Sequence, residues 1–196
     1  MPKRIPFEEN WVYHIFNRWF FKQNIFFNKK DYERFFLKLQ DCINDFPEIN
    51  LISYCILPNH FHFIVLNKKE WLFISKFMNK IQVSYWNYIK TKYLDNLEKW
   101  QVFEWRFKAK QITSDEYFNK CLYYVNYNAV KHWIVEKIED YPYTSAHQFI
   151  NSLGTSKTRR SRDLLLSWVP GSMVKLNYWF ENWLEEFFED FWEFEF

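Results

Sequence analysis

The sequence predicts an α+β sandwich, one antiparallel sheet with helices packed on one face. Three observations carry that expectation. Apolar residues recur alternately at strand and at helix spacing, in the order β, α, β, β, α, β, α. Two consecutive β-rich runs are separated only by a Pro58-Asn59 pair, which suits a tight turn and therefore an antiparallel hairpin. Aromatic residues make up 24% of the 196-residue chain, enough to fill a sizeable core, while charged residues stay at an ordinary 26%.

The elements follow in order. WVYHIFNRWFF, Trp11 to Phe21, is dense enough in apolar residues for a first strand. Tyr32 to Phe46 places Phe35, Phe36, Leu39, Ile43 and Phe46 at helical spacing, with Asp31 positioned as N-cap and Pro47 ending the helix. Asn50 to Leu57 and Phe61 to Leu66 form the hairpin. From Glu70 to about Tyr93, the positions Trp71, Ile74, Phe77, Met78, Ile81, Tyr85 and Ile89 make one face of a second helix. The polar stretch TKYLDNLEKW leads into a strand at Val102 to Ile112. Ser114 caps a third helix whose first turn holds Asp115 and Glu116, where the helix dipole favours anions, and which carries KCLYYVNYNAV. This order is that of a ferredoxin-like sandwich.

Past Tyr141 the regular pattern weakens. YPYTS reads as a turn, and NSLGTSKTRRSR as a polar, basic connector. The expected organisation is one domain over residues 1–150, a basic linker at 151–170 and a C-terminal appendage at 171–196. In the appendage Phe180, Trp183, Leu184, Phe187, Phe188, Phe191 and Trp192 share a helical face against six acidic residues on the others. Residues 171–196 hold one Lys against seven acids, which leaves 25 basic and 17 acidic residues, or +8, on the rest of a chain of net charge +2. A basic body suits a polyanionic partner. No apolar run is long enough to span a bilayer and the start MPKRIPFEENW lacks the apolar middle of a signal peptide, so the expectation is a cytoplasmic protein with no membrane partner. Cys42, Cys55 and Cys121 are odd in number and sit in apolar-periodic segments, which reads as core thiols in a reducing compartment.

The stretch LPNHFHFIVLN raises the functional question. Residues two apart in a strand share a face, so His60 and His62 project together while Phe61 and Phe63 turn to the core. Two adjacent imidazoles can hold one divalent cation; the same spacing also fits two polar residues on a solvated sheet face.

LPNHFHFIVLN, preceded by YHIFNR (Tyr13 to Arg18) and FFNKKDYERF and followed by WRFKAK, YYVNYNAV and YPYTSA, resembles the HUH single-tyrosine transposases, in particular the REP-associated tyrosine transposase branch. The likeness runs in order over residues 11 to 146. It implies a metal-dependent enzyme that cuts and rejoins single-stranded or hairpin DNA through a covalent 5′-phosphotyrosine; monomer and homodimer both stay open. By that resemblance His60 and His62 are metal ligands for Mg²⁺ or Mn²⁺. The nucleophile is a tyrosine of the third helix, with Tyr123 and Tyr124 both candidates. The family helix carries a polar ligand four residues after its tyrosine, a spacing that Tyr124 and Asn128 meet; Tyr123 would have Tyr127 there. Tyr124 is therefore the preferred nucleophile and Asn128 the third ligand. His14 reads as structural or DNA-facing. Arg18, Arg106, Lys108, Lys110 and Lys131 lie in or beside the family-like segments as phosphate contacts.

Two segments depart from the family pattern. NPVR is NAVK here, and the Gly-rich segment before RF is KWQVFEWRF. Both spare the expected ligands and bear on which DNA is recognised. The rival readings are a DNA- or RNA-binding module without catalysis and a replication-initiator or relaxase-like nickase, which the short chain and motif order disfavour.

Overall fold

A computed structural model describes residues 7–19, 22–69, 72–93, 103 and 106–147. All belong to one compact unit, Met1–Gly154. The expected linker at 151–170 and terminal helix at 171–196 lie outside the described residues.

The elements are β1 (Trp11–Arg18), α1 (Lys29–Asp45), β2 (Ile49–Leu57), β3 (His60–Asn67), α2 (Leu72–Tyr93), β4 (Lys108–Ile112) and α3 (Asp115–Lys131), with one 3-10 turn at Ile138–Asp140. The four strands pair antiparallel in the order β2-β3-β1-β4. This is the expected ferredoxin-like α+β order, but the helices do not all lie on one face as the sequence predicted. α1 and α2 cover one face, where Phe35, Leu39, Phe77, Met78, Ile81 and Tyr85 close over Tyr13, Ile15, Ile56, Phe61 and Phe63. α3 packs against β2, β3 and β4. Its buried residues Phe118, Cys121, Leu122, Val125 and Ala129 stand outside that cluster, because α3 covers the opposite face. Both sheet faces are thus covered, and every residue of β3 is buried, histidines included.

Several boundaries differ from the sequence expectation. The N-cap of α1 is Asn28, whose side chain accepts from Lys30 N at 3.0 Å; Asp31 sits at the third helical position and closes a capping box by accepting from Asn28 N at 3.1 Å. Asp31 is displaced from the cap role because α2 claims it. Its fully buried carboxylate also accepts from Phe27 N and from Tyr88, Lys92 and Tyr93 of the last turns of α2, at 2.7 to 3.0 Å. Regular pairing of the last strand begins only at Lys108; Phe103 meets Trp19 in an isolated bridge, ring centroids 3.9 Å apart. The Ser114 cap of α3 is as expected, with its hydroxyl accepting from Tyr117 N at 3.1 Å.

The hairpin turn is fastened to the chain leaving β1. Pro58 O accepts from Ile25 N at 3.0 Å and from Trp19 Nε1 at 3.2 Å, and Asn59 O accepts from Trp19 N at 2.9 Å. These bonds hold the start of β3, where the histidines stand, against the end of β1. In β2 the pairing shifts between Leu51 and Ser53. One extra residue reverses the alternation, so Ile49 and Leu51 face α1 and α2 before it and Tyr54 and Ile56 after it, while Ser53 and Cys55 turn to α3.

Candidate active site

Alternation in β3 puts His60 and His62 on the α3 face, and register lines them up with β1: Arg18 stands opposite His60, Phe16 opposite His62 and His14 opposite Ile64. β4 adds Lys108 opposite Phe16 and Lys110 opposite His14 on that same face. The sheet therefore gathers three imidazoles and three cationic side chains on one side. Against them α3 lays Tyr124, Asn128 and Lys131.

Asn59 Oδ1 lies 2.6 Å from His60 Nδ1. An amide oxygen only accepts, so the imidazole proton sits on Nδ1 and His60 Nε2 presents a lone pair. That lone pair faces a second acceptor, Asn128 Oδ1, at 3.2 Å. Two acceptors pointed at each other repel unless something positive lies between them. Asn128 Nδ2 is buried with no hydrogen-bond partner, so the amide turns its oxygen to the imidazole although the opposite orientation would supply a donor. An imidazole nitrogen and an amide oxygen so placed could both be offered to a cation.

His62 Nδ1 lies 3.0 Å from His14 Nε2. With the proton on His62 Nδ1, His14 accepts it and His62 Nε2 is left with a lone pair as well. Both ring systems are buried and 5.1 Å apart, centroid to centroid. Burial first, then His132, Arg18 and Lys131, hold the His60 pKa down to about 3 despite the Asn128 contact. His62 is held well below its ordinary value by burial and by His60 and His14, and His14 is lowered to about 3 by burial and Lys110. All three are neutral at physiological pH, the form in which imidazole binds metal. Among the described residues no group of three or more His, Cys, Asp or Glu side chains is placed to hold a metal ion, so a cation here would take an amide as its third protein donor.

Consecutive residues on a helix point about 100° apart, and the two candidate tyrosines separate accordingly. Tyr124 stands edge-on to His62, centroids 5.3 Å apart and rings at 90°, and 5.8 Å from His14; Lys131 Nζ is 5.1 Å from its ring centre. Tyr123 stacks instead on Tyr127, centroids 5.0 Å apart. Of the expected phosphate contacts, Arg18, Lys108, Lys110 and Lys131 come together around the histidine face, and exposed Arg106 precedes β4.

The profile of the family described as "Transposase IS200 like" matches residues 8–128, from just before β1 to Asn128 itself. The chain belongs to the IS200-like transposase family. Among solved structures, this family member is similar to a REP-associated tyrosine transposase bound to a REP hairpin, with a TM-score of 0.63 at 15% identity over 77% of this chain and 86% of that one. At that identity the likeness is one of fold. A putative transposase from Deinococcus radiodurans r1 aligns at 11% identity over 68% of this chain and 95% of that one, with a TM-score of 0.44 too low to bear on the argument. No curated protein matches. The family assignment makes the chain a transposase by kinship, a DNA-processing protein; among the described residues no helix is long and apolar enough to cross a membrane.

His14, read from the sequence as structural or DNA-facing, is a hydrogen-bond partner of His62. Sequence reasoning passed over three parts of this site. Asn59 sets the His60 tautomer. Exposed His132 lays its ring near His60, centroids 4.9 Å apart. Asn126, between Tyr124 and Asn128, donates from Nδ2 to Ser53 Oγ and Leu122 O, and accepts at Oδ1 from Thr144 Oγ1 and Ser145 Oγ, at 2.8 to 3.1 Å. The YPYTSA segment is more than a turn: Tyr143 O and Ser145 N bond to Ile56 N and Tyr54 O at 2.9 Å, covering the outer edge of β2. For His132 the available signal was its helical spacing of four from Asn128.

Proposed function

We propose that this chain is a metal-dependent strand transferase of single-stranded DNA, which cuts and rejoins DNA at REP-like hairpins through a 5′-phosphotyrosine on Tyr124. The observation that carries this reading is the convergence of His60 Nε2 and Asn128 Oδ1, 3.2 Å apart, beside a tyrosine edge-on to His62. His60, His62 and Asn128 would hold the cation, Mg²⁺ or Mn²⁺ by the chemistry of two imidazoles and an amide oxygen. When bound, such an ion withdraws charge from a scissile phosphate. The likeness of fold to a transposase solved on a REP hairpin supports the choice of DNA.

The chain's own residues then have definite work. His14 accepts the His62 Nδ1 proton and keeps Nε2 available, and Asn59 does the same for His60. Arg18, Lys108 and Lys110, with Arg106 beyond them, meet backbone phosphates on the histidine face. Tyr124 Oη attacks phosphorus: the phenolic oxygen–phosphorus bond forms, the bond from phosphorus to the 3′ oxygen breaks, and the phenol's proton is released as the leaving oxygen takes one up. A phenol with a reference pKa of about 10 is mostly protonated at neutral pH. Lys131 Nζ, 5.1 Å from the ring centre, supplies a positive charge beside the nucleophile. A 3′-hydroxyl reverses the exchange later, so the ester linkage is conserved and no nucleotide cofactor is required.

Incubation with Mn²⁺ and a labelled library of hairpin single strands, followed by denaturing electrophoresis, tests the reading. Wild type and Tyr123→Phe are expected to form a covalent complex, and Tyr124→Phe, His60→Ala and His62→Ala to form none. Adducts from Tyr124→Phe move the nucleophile elsewhere, and adducts at full yield in EDTA remove the metal. Binding without any adduct leaves a DNA-binding module.

A further inference from the structure

The last turn of α3 ends in a Schellman motif. Trp133 N donates to Val130 O at 2.9 Å and Ile134 N to Ala129 O at 3.0 Å, which makes His132 the C-cap and Trp133 the residue after it. That position takes the left-handed conformation, and Trp133 has φ 56°. Glycine is the residue such a turn ordinarily uses, since a β-carbon there crowds the following carbonyl. This chain places its bulkiest side chain at the position, and leaves it 93% exposed. No packing repays the strained backbone, and an outlier of this kind asks for a functional reason.

Its location supplies one. His132, the preceding residue, lies against His60, and Lys131 before it reaches over Tyr124. Trp133 is thus the residue next to His132 and two from Lys131, at the end of α3 that carries the proposed ligand Asn128. A protein interface needs a broad apolar patch; among the described residues the exposed large apolar neighbour in sequence is Ile134 alone, 39% exposed. A single accessible indole at a helix end that also carries Lys131 matches instead the flat face of an unpaired base whose phosphate a cation holds.

We propose that Trp133 is a stacking platform for one unpaired nucleobase of the DNA strand at the site. The assignment rests on the single-stranded DNA reading above and adds a base contact at the C-terminal end of α3. The probes are fluorescein-labelled oligothymidylate and an abasic deoxyribose-phosphate chain of equal length and charge, titrated at low salt with full-length wild type, Trp133→Gly and Trp133→Phe. Trp133→Gly is expected to bind oligothymidylate roughly 5- to 150-fold more weakly and the abasic chain unchanged, while Trp133→Phe keeps most of the affinity. Because glycine relieves the left-handed strain, the Tm of Trp133→Gly is expected to be equal or higher. Unchanged affinity for oligothymidylate overturns the platform and leaves the indole to a protein partner. A loss equal on both probes, or a fall in Tm, returns Trp133 to a structural part, and a wild type that binds no oligothymidylate overturns the assignment too. None of these outcomes depends on adduct formation, which tests the catalytic reading separately.

Discussion

Asn126 offers the sharpest test of how the site is built. Its side chain is 4% exposed and all four of its hydrogen-bonding valences are used, on Ser53, Leu122, Thr144 and Ser145. Ser53 belongs to β2 and the other two hydroxyls to the segment that covers β2's edge, so the amide locks the rotation of α3 against the sheet. Asn126→Ala removes four bonds at about 0.5–1.5 kcal/mol each. Part of the loss is recovered, because Ser53 and Ser145 still bond each other at 2.8 Å and Thr144 Oγ1 still reaches Tyr54 O at 3.2 Å. The net cost is therefore about 2–4 kcal/mol of unfolding free energy, measured by urea denaturation at neutral pH. Tyr124 and Asn128 lie two residues to either side, so at a temperature where the variant is folded it should retain DNA binding and lose most covalent adduct. A change below about 1 kcal/mol, or full adduct yield, would refute the claim that this amide sets the helix phase.

Two further outcomes follow from buried charge. His14 and His60, both lowered to about 3 from 6.5, stay neutral in the folded chain while the unfolded chain takes up protons. Their contribution to stability is whole above pH 6.5 and is lost as pH falls towards about 3. By pH 5 the loss is about 2 kcal/mol for each, with His62 acting in the same direction, and flat stability from pH 8 to 5 would show the imidazoles charged or exposed in the native state. Asp31→Asn should cost about 3 kcal/mol in urea, the lower end for breaking a buried pair because Lys92 is 33% exposed and keeps some water. Burial raises the Asp31 carboxyl, but Lys92, Tyr88, Tyr93 and the Phe27 N–H outweigh it, so an unchanged variant would mean that the four donors find other acceptors.

What the sequence alone determined is what depends on period within one element. A period of two put His60 and His62 on one side of β3 and Phe61 and Phe63 on the other; a spacing of four put Tyr124 and Asn128 on one side of α3. Element order and the Pro58-Asn59 turn then sufficed for the fold class. Tertiary structure decided everything that depends on how elements meet. β1 lies between β3 and β4, so His14 is set beside His62 from 48 residues away. The irregularity after Leu51 reverses the phase of β2 and turns Ser53 towards Asn126, a change that simple alternation runs against. Asp31 has the chemistry of an N-cap, yet it serves one helical turn further on because α2 brings it three side-chain donors. The physical reason is common to all three: a local period fixes which residues share a face, whereas register, bulges and the pairing of buried polar groups are settled only when distant segments close on one another and each donor must find an acceptor.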